Sequence, residues 1–150
     1  MSLMLANRYF LDRDYLHALP LLEAALADAS NVSPIRKKLI VTNIVLGRLS
    51  EALDLLEQAV HEDPRSIIDT QAEDEDCPCP DLCRALEKRL PYATDPYPVL
   101  LSLGMLELYC SLERARTYLA QAGRVRADEP RIPRILSRLQ QEVPRCSSAS

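Results

Sequence analysis

Apolar residues recur at helical spacing along most of the chain. Tyr15, Ala18, Leu22, Ala25 and Leu26 follow one another at three- or four-residue steps, the spacing of one buried face of an α-helix. Asp14, just before them, suits the N-cap, where a carboxylate accepts from free amides of the first turn. A shorter helix precedes, with Leu5 and Tyr9 on its packing face and Phe10 at the edge, and the two are joined at Asp12-Arg13-Asp14. Pro34 suits the opening turn of a third helix carrying Ile35, Leu39, Val41 and Ile44, and Gly47 stops it. Ser50 is then placed to cap a fourth, with Leu53, Leu56, Ala59 and Val60 inward and Asp63-Pro64 closing it. Pro20 falls early in its helix, where the missing hydrogen bond costs least, so at most a slight bend is expected there.

These four helices form two copies of one unit. A shift of about 34 residues carries Ala18, Leu22 and Ala25 onto Ala52, Leu56 and Ala59. It also carries Leu5 onto Leu39, Ala6 onto Ile40, Tyr15 onto Leu49 and Ser30 onto Pro64; only Tyr9 to Asn43 changes character. The small residues at the repeated positions let antiparallel helices approach closely, where Leu would hold them apart.

On these residues the chain resembles the tetratricopeptide repeat family. The match is to its helix–turn–helix unit, with a small residue early in the second helix, a large one four later, a small one three after that, and a closing proline: Ala52, Leu56, Ala59 and Pro64. The tryptophan and glycine that the family prefers in the first helix are replaced by Ser2 and Arg36, and by Ala6 and Ile40. The resemblance implies an all-α fold, with antiparallel helix pairs stacked as a right-handed α-solenoid closed by a C-terminal capping helix.

The expected organisation is one helical domain over 1–146, with repeats at about 2–33 and 34–65. The repeat then breaks. Gln71-Ala72-Glu73-Asp74-Glu75-Asp76 followed by Cys77-Pro78-Cys79-Pro80 opposes a continuous helix through charge repulsion and proline, so about 69–80 reads as a mobile acidic loop. A short helix with Leu82, Ala85, Leu86 and Leu90 inward follows, stopped by Pro91. The apolar stretch from Val99 to Tyr109 must be buried, and Leu112, Ala115, Leu119 and Ala122 restore the spacing of a second helix ending at or beyond Gly123. Since Ala52 to Ala115 is not a multiple of the period, about 97–125 reads as a third repeat displaced by an insertion. Ile132, Ile135, Leu136, Leu139 and Val143 outline a capping helix over about 130–143, and 147–150 reads as a disordered tail.

Composition agrees with helices: only 3 Gly, no Trp and 5% aromatic residues leave little from which to build a β-sandwich. The net charge of -4 calls for neither nucleic acid nor an anionic membrane as partner. The arginines are concentrated late in the chain, from Arg114 to Arg145, and read chiefly as a solvated helix face. No apolar run approaches the ~18 residues of a membrane span. The 5 cysteines, an odd and unevenly spaced set, point to free thiols in the cytoplasm. Cys77, Cys79 and Cys83 could offer thiolates to a metal, but their spacing lacks the C-x2-C knuckle, so no metal or other cofactor is expected. His17 and His61 read as surface residues, and no nucleophile or phosphate-loop motif is present, so no enzyme is expected.

What the resemblance implies is a protein-binding groove lined by the first helix of each unit. Its expected lining is Leu3, Asn7 and Phe10 from the first unit and Lys37, Lys38, Val41 and Ile44 from the second. Such a groove suits a peptide or helix carrying hydrophobic anchors and an acid. Members of the family that grip the C-terminal carboxylate of Hsp90-type chaperones need a Lys where Leu3 stands and an Asn where Lys38 stands, so that role is not expected. The favoured reading is an adaptor or assembly subunit. Alternatives are a small chaperone for a hydrophobic client and a metal- or redox-responsive regulator acting through Cys77–Cys83; homo-oligomerisation stays open.

Overall fold

The computed structural model describes residues 3–68 and 78–142. Its described residues form nine α-helices and one 3-10 turn, with no strand, and neighbouring helices pack in adjacent pairs, consistent with a tetratricopeptide-like helical solenoid. They divide into two compact units, one ending at Leu56 and the other beginning at Glu57. No helix among the described residues is long and apolar enough to cross a membrane.

In the first unit α1 (Leu3–Leu11) packs on α2 (Tyr15–Asp28), and α2 packs on α3 (Ser33–Val45). The turn between α1 and α2 is built from local chemistry. Arg13 takes the left-handed conformation at φ 61°, and the Asp14 carboxylate accepts from the His17 amide at 3.3 Å, as an N-cap should. The His17 ring stacks on Tyr9 with centroids 5.2 Å apart, while Phe10 meets Tyr15 edge-on at 5.8 Å. α2 continues through Pro20, as its early position allows. Tyr15, Ala18 and Leu22 are buried as the spacing predicts, but Ala25 and Leu26 remain half-exposed.

The rotational setting of α1 differs from the sequence expectation. Ala6 and Phe10 form its buried face, whereas Leu5 is 49% exposed. The helix carries apolar residues around most of its circumference, and the side with the small Ala6 is the one that is buried.

α3 begins with Pro34 in its first turn and is followed by Gly47 at φ 79°, both as expected. Its burial extends nearly all round, from Ile35 to Ile44, and takes in Thr42 and Asn43. Asn43, the position that breaks the repeat's apolar pattern, is satisfied at both ends of its amide. Its Nδ2 donates to the Leu39 carbonyl at 2.9 Å, and its Oδ1 accepts from Arg48 Nε at 2.8 Å. α4 (Leu49–Glu62) starts two residues earlier than the sequence predicts, placing Ser50 in its first turn rather than at the cap. Ala52, Leu53, Leu56, Ala59 and Val60 are all buried, as the spacing requires.

The second unit contains the end of α4, the single turn α5 (Arg65–Ile68), α6 (Cys79–Arg89), the 3-10 turn Leu90–Tyr92, α7 (Tyr97–Glu107), α8 (Leu112–Val125) and α9 (Arg131–Leu139). Two positions of the expected loop, Cys79 and Pro80, are helical, because proline is tolerated in a helix's first turn; most of that loop, and the tail, lie outside the described residues. α6 buries Cys79 and Cys83 rather than the predicted line through Leu82, Ala85, Leu86 and Leu90, which stay partly or fully exposed. α7 is buried from Val99 through Glu107 and packs on both α6 and α8. Ser111 caps α8 by accepting from the Arg114 amide at 3.3 Å. Ala115, Leu119 and Ala122 are fully buried, and Gly123 lies inside the helix, which runs on to Val125. α9 is shorter than expected, but Ile132, Ile135 and Leu139 are buried as predicted, and it packs on α8.

α7 and α8 approach closely at Gly104. A Cβ there would come within 2.7 Å of both Cγ and Cδ2 of Leu119 and within 3.1 Å of the Leu119 backbone nitrogen. Helix propensity alone would favour almost any other residue at this position, so contact geometry decides. Gly104→Val should destabilise the protein by about 2 kcal/mol or more through overpacking. Met4→Ala, at a position 83% exposed, should change it by less than about 0.5 kcal/mol. Urea denaturation of the two variants, followed by circular dichroism, measures the difference.

Candidate functional site

The residues expected to line one open groove divide between surface and interior. Leu3 is exposed, and Asn7 and Lys38 are half-exposed. Phe10 and Val41 are 1% exposed and Ile44 is 7% exposed, so they lie in the interior, a correction to the expected lining. Lys37 is also buried. The cause lies in the rotation of α1, which turns Phe10 inward, and in the burial of α3 around nearly its whole circumference.

Among the exposed apolar residues of the first unit, several gather on an edge of α1. Met4, Arg8 and Leu11 are spaced i, i+4, i+7 and share an outward stripe. Leu11 is 47% exposed, and Leu3 and Leu5 flank the stripe. Beside the stripe, Asn7 has its Oδ1 shielded from solvent without a hydrogen-bond partner. A cleft of about 490 Å³ opens nearby, lined by Leu3, by Ala25 and Asp28 at the end of α2, and by Ser30, Asn31 and Ile35. The sequence signal for this edge was present in the number of apolar residues on so short a helix; the rotation that exposes Met4 and Leu11 was not readable from it.

In the second unit, titratable groups gather around Glu107 at the end of α7. Burial is the largest influence on this carboxyl and raises its pKa; Arg114, whose Nε lies 3.8 Å away, opposes the shift, and Glu87 adds to it. Tyr118 donates to Glu87 Oε2 at 3.0 Å, and desolvation together with that carboxylate pushes the phenol up to about 12. Burial likewise raises the Cys83 thiol well above its usual range, which leaves little thiolate to act as ligand or nucleophile. Cys79 is disulfide-bonded, which corrects the expectation of free thiols at that position, and Cys77 lies outside the described residues. No group of three or more metal-ligating side chains occurs among the described residues. The cluster therefore reads as an internal junction between α6, α7 and α8.

Its pH signature follows from the sign of the Glu107 shift. A carboxyl whose folded pKa is raised favours protonation of the folded state, so this group takes stability away as pH rises from its unfolded value towards the folded one. Glu107→Gln should match wild type near pH 4 and become progressively more stable than wild type towards pH 7. Melting temperatures of both proteins across that range, with stability equal at neutral pH as the contrary result, test the assignment.

A second surface feature of this unit is a cleft of about 380 Å³ lined by Glu57, Gln58, Val60 and His61 from the end of α4 and by Arg134, Ile135 and Arg138 from α9. Arg134 is held by Glu57, with Nε–Oε2 at 2.5 Å and Nη2–Oε1 at 3.3 Å. α9 is itself fixed to α8 by the Arg116 guanidinium, which donates to the carbonyl oxygens of Leu139 and Glu142. No motif links residues so far apart in the chain, so the cleft was not legible in the sequence.

Neither edge nor cleft assembles a nucleophile with a base, and the described helices present surfaces rather than an enclosed polar site. Comparison with known proteins agrees with the repeat pattern. Residues 9–72 match a family model described as tetratricopeptide repeat. Among curated proteins and among solved structures there is no significant match. Over residues 9–72 the chain is therefore similar to the tetratricopeptide repeat family.

Proposed function

We propose that this protein is a non-catalytic adaptor or assembly subunit, and that it holds a peptide or helix of another protein against the exposed edge of α1. Tetratricopeptide repeats generally mediate protein–protein interaction. The observation that carries the finer reading is the apolar stripe of Met4 and Leu11, with Met4 83% exposed on a helix whose opposite side is already packed. Monomeric proteins seldom leave such side chains grouped unless a partner covers them. Leu3 and Lys38 complete the set retained from the sequence expectation. Phe10 lies on the buried side of α1, and Lys37, Val41 and Ile44 are buried in α3. No observation favours the chaperone or metal-regulator alternatives over this one.

Because Met4 and Leu11 are exposed, Met4→Ser/Leu11→Ser should keep the wild-type circular dichroism spectrum and melting temperature. Affinity capture from native lysate, read by mass spectrometry, should then show a partner with wild type that is at least tenfold depleted with the double variant. An identical set of captured proteins for both would remove α1 as the binding surface.

A further inference from the structure

The cleft between the end of α4 and α9 has features of a built recognition surface, independent of the α1 edge. Val60 and Ile135 are 2% and 1% exposed and close its floor. The alkyl stems of Arg134 and Arg138 extend that apolar surface along the walls. The charges are unequally committed. Arg134 and Glu57 neutralise one another through two contacts. Arg138 is only partly exposed, yet it makes no hydrogen bond or ion pair within the described residues. Gln58 and His61, one turn apart on α4, also reach the cleft without a hydrogen-bond or ion-pair partner among the described residues. Three polar side chains therefore face a single apolar-floored depression, and the one charge left over is a guanidinium.

A guanidinium presents a rigid planar fork of donors that matches a carboxylate in bidentate fashion. The Gln58 amide offers both a donor and an acceptor, as an extended peptide backbone requires, and an aliphatic side chain fits the floor. We propose that this cleft is a second docking site, taking a short acidic peptide segment of a partner protein, with a carboxylate on Arg138 and a neighbouring aliphatic residue over Val60 and Ile135. The preformed Glu57–Arg134 pair holds the wall in place and excludes a second anion from Arg134, so the site reads one acidic residue at a time. The chain could then engage one segment at α1 and another here, and the two contacts would reinforce each other by raising effective concentration.

The test uses the full chain and a defined probe, a fluorescein-labelled peptide of alternating Leu and Asp, read by fluorescence anisotropy. The proposal expects saturable binding that is at least about tenfold tighter than for the matching Leu/Asn peptide. Arg138→Gln should weaken the Leu/Asp probe by about fivefold to tenfold with the circular dichroism unchanged. Arg138→Glu should transfer preference to a Leu/Lys peptide, which a merely structural role for Arg138 would not do. The α1 variant Met4→Ser/Leu11→Ser should bind the probe as wild type does, so failure here and failure of the α1 reading are separable. The proposal is overturned if wild type fails to bind the acidic probe, or if Leu/Asn binds equally well. Unchanged affinity in both Arg138 variants would also overturn it. So would tighter probe binding once Glu73, Asp74, Glu75 and Asp76 are neutralised to Gln and Asn, since the chain's own acidic run would then be the occupant. Displacement of the probe by a single-stranded oligonucleotide at lower concentration than unlabelled peptide would assign the cleft to phosphate instead.

Discussion

The fold depends on how closely its helices can approach, and small residues set that distance. Ala6, Ala18, Ala52, Ala115 and Ala122 are each 0% exposed, and at Gly104 not even a methyl group fits against Leu119 without movement. Larger residues on the same helices are buried with them: Phe10 and Leu22 in the first unit, Leu106 and Leu119 in the second. The hydrophobic effect supplies most of the driving force, but it acts at this spacing only because the contact points are small. A Leu at any of them would prise the pair apart and uncover neighbours as well as introduce its own bulk.

The same constraint shapes the surfaces available for function. A short helix that must bury its smallest residue has little choice about what it exposes. α1 turns Ala6 inward, which brings Phe10 with it and sends Met4 and Leu11 outward. α3 has apolar residues on almost every side, and its burial leaves Lys38 as the accessible member of the positions expected to bind. In the second unit α9 is held on α8 by Ile132, Ile135 and Leu139 and by the Arg116 guanidinium. That placement leaves Arg138 at the rim of a cleft, and Arg134 satisfied by Glu57.

Much of the helical architecture was legible in the residues. The correspondence of Ala18 and Leu22 with Ala52 and Leu56 located four fully buried positions, because periodic small and large residues report a packing distance directly. Asp14, Pro34 and Gly47 located helix ends through backbone chemistry that needs no tertiary information. The turn of a helix about its own axis was less legible. Leu3, Met4, Leu5, Tyr9, Phe10 and Leu11 leave α1 without a polar face, so periodicity could not choose between Leu5 and Phe10 as core. Lys37 misled for the opposite reason: a charged residue is usually a surface marker, and here it is buried. The cleft with Glu57 and Arg134 was hidden because its walls meet only after folding.

If close approach at small residues governs the fold, position within α2 should decide the outcome of one and the same substitution. Ala18 is fully buried and Ala27, on the same helix, is exposed. Equilibrium urea unfolding of Ala18→Leu and Ala27→Leu measures this directly. The account predicts that Ala18→Leu loses about 1–3 kcal/mol from overpacking while Ala27→Leu stays within about 0.5 kcal/mol of wild type. Equal stability of the two variants would contradict it, since helix spacing would then be set by something other than the size of the residue at the contact.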